Sequence, residues 1–274
     1  PRRWLGIGLT AALLVTPGLV GCSPASDQAS AEQESRDPAE PGTAPEIAPT
    51  HQGEGGEGGV DVDRAATDPA VYLAGLGVIE AHVLAGRDAY REGAERAGGE
   101  MFAHPVSEVY FDLEPAFETL GVPGFDQALM DASALALSGA PIAKVDAATD
   151  AILATLDLAA GKAPGGGNGD GGVLARVVAD QIDRAARQYV TAGDTDALEP
   201  YLDGYGYAAT ARRLFDIHRE AIVAANPDAA RAIEEALVML DIAYPSAMRP
   251  ANLSANASQL QATASGVILT AGGL

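Results

Sequence analysis

From residue 69 onward, apolar side chains recur every three or four positions. Tyr72, Leu76, Ile79, Val83, Gly86 and Tyr90 form one such stripe, which is the spacing of a helix with one buried face. Asp68-Pro69 precedes it, an N-cap residue followed by proline at the first helical position, so a helix is predicted from there to about Gly98-Gly99. A second helical stretch runs from about Glu100 to Leu120. His104-Pro105 interrupts it, because proline lacks an N–H and its ring clashes with the preceding turn, and Gly121 with Pro123 ends it. Shorter patterns predict helices from Phe125 to Leu137 and onward from Pro141, the latter with Ile142, Val145, Ile152 and Leu156 on one face.

Beyond a glycine-rich stretch, Leu174, Val178, Ile182, Ala185 and Tyr189 stripe another helix, closed by Gly193. A tyrosine-rich turn at 201–207 then leads into a helix reaching about Ala225. Asn226-Pro227 caps the next, which carries Ile233, Leu237 and Leu240 and stops at Tyr244-Pro245, and a last helix is expected from Ala255 to Leu269. No stretch alternates with the period of two that a half-buried strand needs. The expected fold is all-α: a bundle of about six to eight helices, in one domain or in two packed halves at 68–161 and 173–274 joined by a linker at 162–172. That linker lacks the Gly-Lys-Ser/Thr ending of a phosphate loop and the repeated aspartates of a calcium hand.

The first 67 residues follow other rules. Arg2 and Arg3 precede an uncharged apolar run from Trp4 to Val20, short for a membrane span of ~20 residues and suited to a signal peptide at 1–21. The run ends in Leu19-Val20-Gly21-Cys22, which resembles the lipobox of bacterial lipoproteins; the resemblance implies cleavage before Cys22 and a lipid on its thiol. Cys22 is the single cysteine of the 274 residues, which rules out a disulfide within the chain. Residues 22–67 are rich in Ser, Ala, Glu, Pro and Gly, too poor in large apolar groups to offset their ordering entropy, and are expected to form a disordered tether.

Charge narrows the function. Lys and Arg number 17 against 38 Asp and Glu, a formal net charge of −21 that loss of residues 1–21, with their two arginines, would take to −23. Nucleic-acid phosphates and anionic lipid would be repelled, so membrane attachment would rest on the acyl chain. Alanine-rich, aromatic-poor composition again favours packed helices.

The chain has four histidines. His82 flanks the first apolar stripe, and at helical spacing Glu100, Met101, His104 and Glu108 would share a face were Pro105 absent. Imidazole, carboxylate and thioether together suit a transition metal, with iron or copper favoured and softer ions preferred if Met101 takes part. His82, Met101, His104 and Glu108 are therefore the candidate metal ligands. The alternative is a helix-capping histidine among surface acids. His218 is expected to be a satisfied core histidine, and the tyrosine turn, with Glu199 and Asp203, to provide hydrogen-bonded packing rather than oxygen ligands. His51 belongs to the tether. The chain has no Gly-x-Ser-x-Gly elbow, no His-Glu-x-x-His and no cysteine outside the lipobox, and an enzyme is not expected.

Two stretches carry resemblances. Tyr72-Leu73-Ala74-Gly75-Leu76-Gly77, Glu80-Ala81-His82, Met101-Phe102-Ala103-His104-Pro105, Glu108-Val109-Tyr110-Phe111-Asp112-Leu113 and Gly121-Val122-Pro123-Gly124-Phe125 resemble a group of uncharacterised helical bacterial lipoproteins. That group has His-x-x-His-Pro where this chain has Met101-x-x-His104-Pro105. Gln188-Tyr189, Gly193, Tyr201-x-x-x-Tyr205-Gly206-Tyr207 and Tyr244-Pro245 are similar to the periplasmic helical extension of bacterial high-affinity iron permeases, a style shared by imelysin-like iron-uptake lipoproteins. The imelysin Gly-x-His-x-x-Glu motif is absent. These resemblances imply a lipid-anchored cell-envelope protein, facing the periplasm or outer surface, that binds or hands over a metal ion beside a metal permease. The rival expectation is a structural or interaction lipoprotein that docks a membrane partner without metal.

Overall fold

A computed structural model describes residues 60–272, and the apolar run at 4–20, Cys22 and His51 lie outside them. Among the described residues there are ten α-helices and no strand. A short α1 (Val62–Ala65) leads into α2 (Pro69–Arg91) and α3 (Glu95–Pro105), which passes through a π turn at Val106–Tyr110 into α4 (Phe111–Leu120). There follow α5 (Asp126–Leu137), α6 (Ile142–Ala160), a 3-10 segment (Pro164–Gly169), α7 (Gly171–Gly193), α8 (Glu199–Ala225), α9 (Pro227–Ala243) and α10 (Ala257–Ala271). The all-α bundle read from the apolar stripes is the fold observed.

Caps start the helices where short polar residues stand in the sequence. Asp68 accepts from the amides of Ala70 and Val71, Asp170 from Gly172 and Val173, Asn226 from Ala229 and Asn256 from Gln259. Each satisfies donors that the first turn leaves without partners. Gly121 ends α4 in the left-handed region, at φ 69°, where any other residue would be strained.

The central element is α2. It packs against α3, α6, α7 and α8, and 19 of its 23 residues are buried. It is long and apolar enough to cross a membrane, yet nearly all of it is covered by its neighbours, so its hydropathy reflects a core position. The long pair α7 and α8 lies alongside it, with α9 against α8 and α10 against α7 and α9. One apolar cluster, from Val71 and Ile79 through Ile152 and Ile182 to Leu237 and Val267, runs continuously across the 162–172 segment.

Tyrosines fasten this alanine-rich interior, burying a large ring while the hydroxyl reaches a backbone group. Tyr72 donates to the Ala159 carbonyl at 3.0 Å, Tyr244 to Ala185 at 2.7 Å and Tyr201 to Ser246 at 2.9 Å. Tyr205 donates to the Asp88 carboxylate at 2.9 Å, the interhelical hydrogen bonding expected of this segment.

Four local expectations change. The folded body includes residues ahead of 68: Val60 and Ala65 are buried and α1 packs on α2 and α4. The first predicted helix is broken by a turn at Glu92–Ala94, where Gly93 has φ 89°, so its last turns belong to α3. Pro105 ends α3 without breaking the helical path, because a π turn at Val106–Tyr110 carries the chain on into α4. The tyrosine turn at 201–207 is helical from Glu199 onward, because its glycines are packed against neighbouring helices rather than used for bending.

Candidate metal centre

Tyrosines aside, the ionisable side chains buried among the described residues are Glu80 and His82, both on α2. His82 is 2% exposed. A buried imidazole needs its ring nitrogens accounted for. Its Nδ1 lies 2.8 Å from the Val78 carbonyl oxygen, one turn earlier on the same helix. A carbonyl only accepts, so Nδ1 carries a proton. In the neutral ring Nε2 then presents a lone pair.

That lone pair faces two carboxylates. Glu108 Oε2 is 3.2 Å away and Asp203 Oδ1 3.7 Å. Glu108 comes from the π turn and Asp203 from the second turn of α8. The other oxygen of Glu108 stands 3.5 Å from Nδ1 of His104, in the last turn of α3, and the two imidazole rings are 5.9 Å apart, centre to centre. Glu108 thus spans both histidines. Neither His104 Nδ1 nor Asp203 Oδ1, both buried, has a hydrogen-bond partner. One ligand atom each from His82, His104 and Asp203 fall within 4.8 Å of one another. Donors bound ~2.0–2.2 Å from a shared ion would stand at comparable separations.

The backbone explains how three distant segments meet here. A Cβ on Gly206 would come within 2.2 Å of the Ala81 carbonyl oxygen, so α8 touches α2 backbone to backbone beside His82. Asp203 lies one turn before Gly206 on that contact. Likewise a Cβ on Gly98 would lie 2.6 Å from the Gly86 carbonyl, which seats α3 against α2 one turn from His82. Only glycine permits approaches this close. Behind the site, the Tyr207 ring packs edge-on to His82 at 6.1 Å, with the Arg184 guanidinium 5.8 Å from its centre. At the mouth, Glu199, 60% exposed in its side chain, reaches to 3.9 Å from His104 Nε2.

The electrostatics are coupled. Burial and the neighbouring Glu108 charge push the Asp203 carboxyl up to about 6, against the pull of His82. Burial lowers the His82 pKa, but its hydrogen bond to Glu108 and the charges of Asp203 and Glu108 outweigh that, and the net direction is upward. Glu108 is also penalised by burial, yet the hydrogen bond and charge of His82 hold it below the usual carboxylate range.

Three of the four residues expected as ligands converge: His82, His104 and Glu108. Met101 packs with Ala85, Ala89, Leu202 and Ala247 in a separate apolar cluster, 1% exposed, and that cluster accounts for its place. Met101 also lines a small pocket with His104 and Glu199. Asp203 joins the site instead. The sequence alone favours hydrogen-bonded packing over oxygen ligation for this segment; the helical register of Asp203 relative to Gly206 is the signal that could have found it. His218 is half-buried and lines a different cleft on α8.

Searches of protein-family models, curated proteins and solved structures returned no match to this chain.

Proposed function

We propose that this protein binds a first-row transition metal ion between α2, the π turn and α8. His82, His104, Glu108 and Asp203 would be the ligands. The observation that carries the reading is the chemistry of the atoms that converge there. His82 Nε2, both Glu108 oxygens, Asp203 Oδ1 and His104 Nδ1 face one another, and a neutral His82 contributes only a lone pair. With His82 neutral, its Nε2 and the carboxylate oxygens are acceptors only, and acceptors brought together away from water are held by a cation, a metal ion or a proton. The Nδ1–H bond to the Val78 carbonyl is the outer contact that typically fixes a metal-binding imidazole in its tautomer. Two imidazoles with two carboxylates suit iron(II), zinc or copper(II) rather than copper(I), which prefers sulfur.

In the same proposal the chain is a cell-envelope lipoprotein, anchored by a lipid on Cys22, that binds or hands over the ion beside a metal permease. The Leu19-Val20-Gly21-Cys22 sequence supports the anchor. The acidic surface favours cations, and Glu199 at the mouth offers an oxygen on the way in.

A second reading has its own observation. The 3.2 Å contact between His82 Nε2 and Glu108 is also good geometry for a protonated imidazole donating to a carboxylate. The cation would then be a proton, and the cluster a structural ion pair in a lipoprotein that docks a partner.

Metal analysis of the purified protein, followed by calorimetric titration with iron(II), zinc and copper(II), separates the two. One ion per chain, lost on His82→Gln, supports the metal site. A folded protein that binds none of these ions leaves the protonated pair and the partner-docking reading.

A further inference from the structure

Glu80, the other buried ionisable residue of α2, stands two positions from His82, about 200° away around the helix axis. It therefore serves a different place. Its Oε2 accepts from Arg213 Nη1 at 2.9 Å, and Arg213 Nη2 also reaches both oxygens of Asp157, at 2.9 and 3.0 Å. Its Oε1 is buried with no hydrogen-bond partner.

Glu80 is 4% exposed and lies on the wall of a cleft of about 250 Å³ at the junction of α2, α6, α7 and α8. The other walls are mainly apolar: Leu73, Leu76, Leu156, Leu214 and Ile217, with Ile217 57% exposed. Arg213, Asp157 and His218 complete the polar side. A cavity of ~150 Å³ is enough for benzene, so the cleft holds a ring with a short polar arm.

Charge decides which arm. The single guanidinium is already shared by two carboxylates. His218 adds no cation, because burial and then the Arg213 charge hold its pKa below the ordinary value. An incoming anion would have to displace Asp157. A donor finds an acceptor already in place.

We propose that this cleft binds a small, mostly apolar molecule with one hydrogen-bond-donating head, an amine or a hydroxyl, which Glu80 Oε1 receives. The proposal is independent of the metal reading.

The test uses 2-phenylethylamine, 2-phenylethanol and phenylacetate as probes, followed by protein-observed NMR on the full chain. Saturable binding of the amine and the alcohol is expected at the α2, α6 and α8 resonances that line the cleft. Phenylacetate should bind at least about tenfold more weakly, the scale of one charge-assisted hydrogen bond. Ile217→Trp, a change at an exposed position, should fill the mouth and weaken both binders by a similar factor without altering the thermal midpoint. Glu80→Gln should remove the amine's advantage over phenylacetate. If Glu80→Gln does not fold, Ile217→Trp and the probe series still decide. Equal binding of the three probes, tightest binding of phenylacetate, or no saturable shift with any of them overturns the proposal.

Discussion

His82 Nε2 and Asp203 Oδ1 stand 3.7 Å apart, although they belong to the second and eighth helices of the fold and no local pattern links them. The contact exists because Gly206 lets α8 rest on the α2 backbone at Ala81. With Glu108 and His104 it turns a buried histidine into one corner of a four-residue cluster.

The cluster should be sensitive to its members and indifferent to Met101. His82→Gln and Asp203→Asn are expected to weaken zinc or iron(II) affinity by roughly 10–100-fold or more, as lost ligands or outer contacts do. Met101→Leu should leave it within error, since Met101 fills an apolar cluster. Calorimetric titration of the three variants, with circular dichroism to verify folding, checks this. A large loss in Met101→Leu would return the thioether to the ligand set.

Bound metal should also stabilise the fold. An ion that binds only the native state at a hundred times its dissociation constant adds ~2.7 kcal/mol. Denaturant unfolding with and without the ion measures it, and chelator should reverse it. The same stability with and without ion, at saturating concentrations, contradicts the site.

Gly206→Ala tests the helix contact. Its Cβ would meet the Ala81 carbonyl oxygen at 2.2 Å, and backbone cannot rotate aside as a side chain can. Overpacking of this kind costs on the order of 1–3 kcal/mol. The shift of α8 should also pull Asp203 from the histidines, so metal affinity falls with stability. If the variant loses stability yet binds metal as before, Gly206 is a packing residue only.

Metal-free protein should lose stability as pH rises from about 5 to 7. Burial, with the Asp157 charge, pushes the Glu80 carboxyl up to about 7 from an ordinary 4.5, despite Arg213. A carboxyl with a raised folded-state pKa binds protons more tightly in the native state, so the native state loses ground as both forms ionise. Asp203, raised to about 6, acts in the same direction. So does His82, whose raised pKa gives stability at low pH that is lost as pH climbs past its folded value. Glu108, held low, opposes them only toward acid. Glu80→Gln should flatten the decline by roughly 2 kcal/mol across this range. Urea unfolding across this pH range, in chelator, reads the slope, and an unchanged slope in the variant would show that Glu80 is not its source.

Asp68→Ala should cost about 1 kcal/mol by removing the N-cap of α2. The Asp68 carboxylate accepts from Ala70 at 3.0 Å and Val71 at 3.4 Å and also pairs with Arg64. The thermal midpoint of the variant, with metal affinity as a control, measures it.

Helix positions were legible in the linear chain because they follow from local rules. Apolar stripes at helical spacing, Asp or Asn before a first turn, and Gly121 or Tyr244-Pro245 at an end act within a few residues. The boundaries that failed depended on neighbours: the break at Gly93, the π turn after Pro105, and α1, which holds its place by burying Val60 and Ala65. In the site, His82, His104 and Glu108 could be proposed because histidines are rare here and two of those residues lie close in sequence. Asp203 could not be preferred among so many acids.

The sequence by itself therefore determined that this is an all-α body carrying an excess of acid, with candidate chemistry on two histidines. Those properties arise from spacing and charge count, which need no partner. Only the tertiary structure decided that Met101 belongs to an apolar cluster while Asp203 faces His82. Which side chains meet across helices is set by backbone approach, and glycines at 98 and 206 bring the backbones that close.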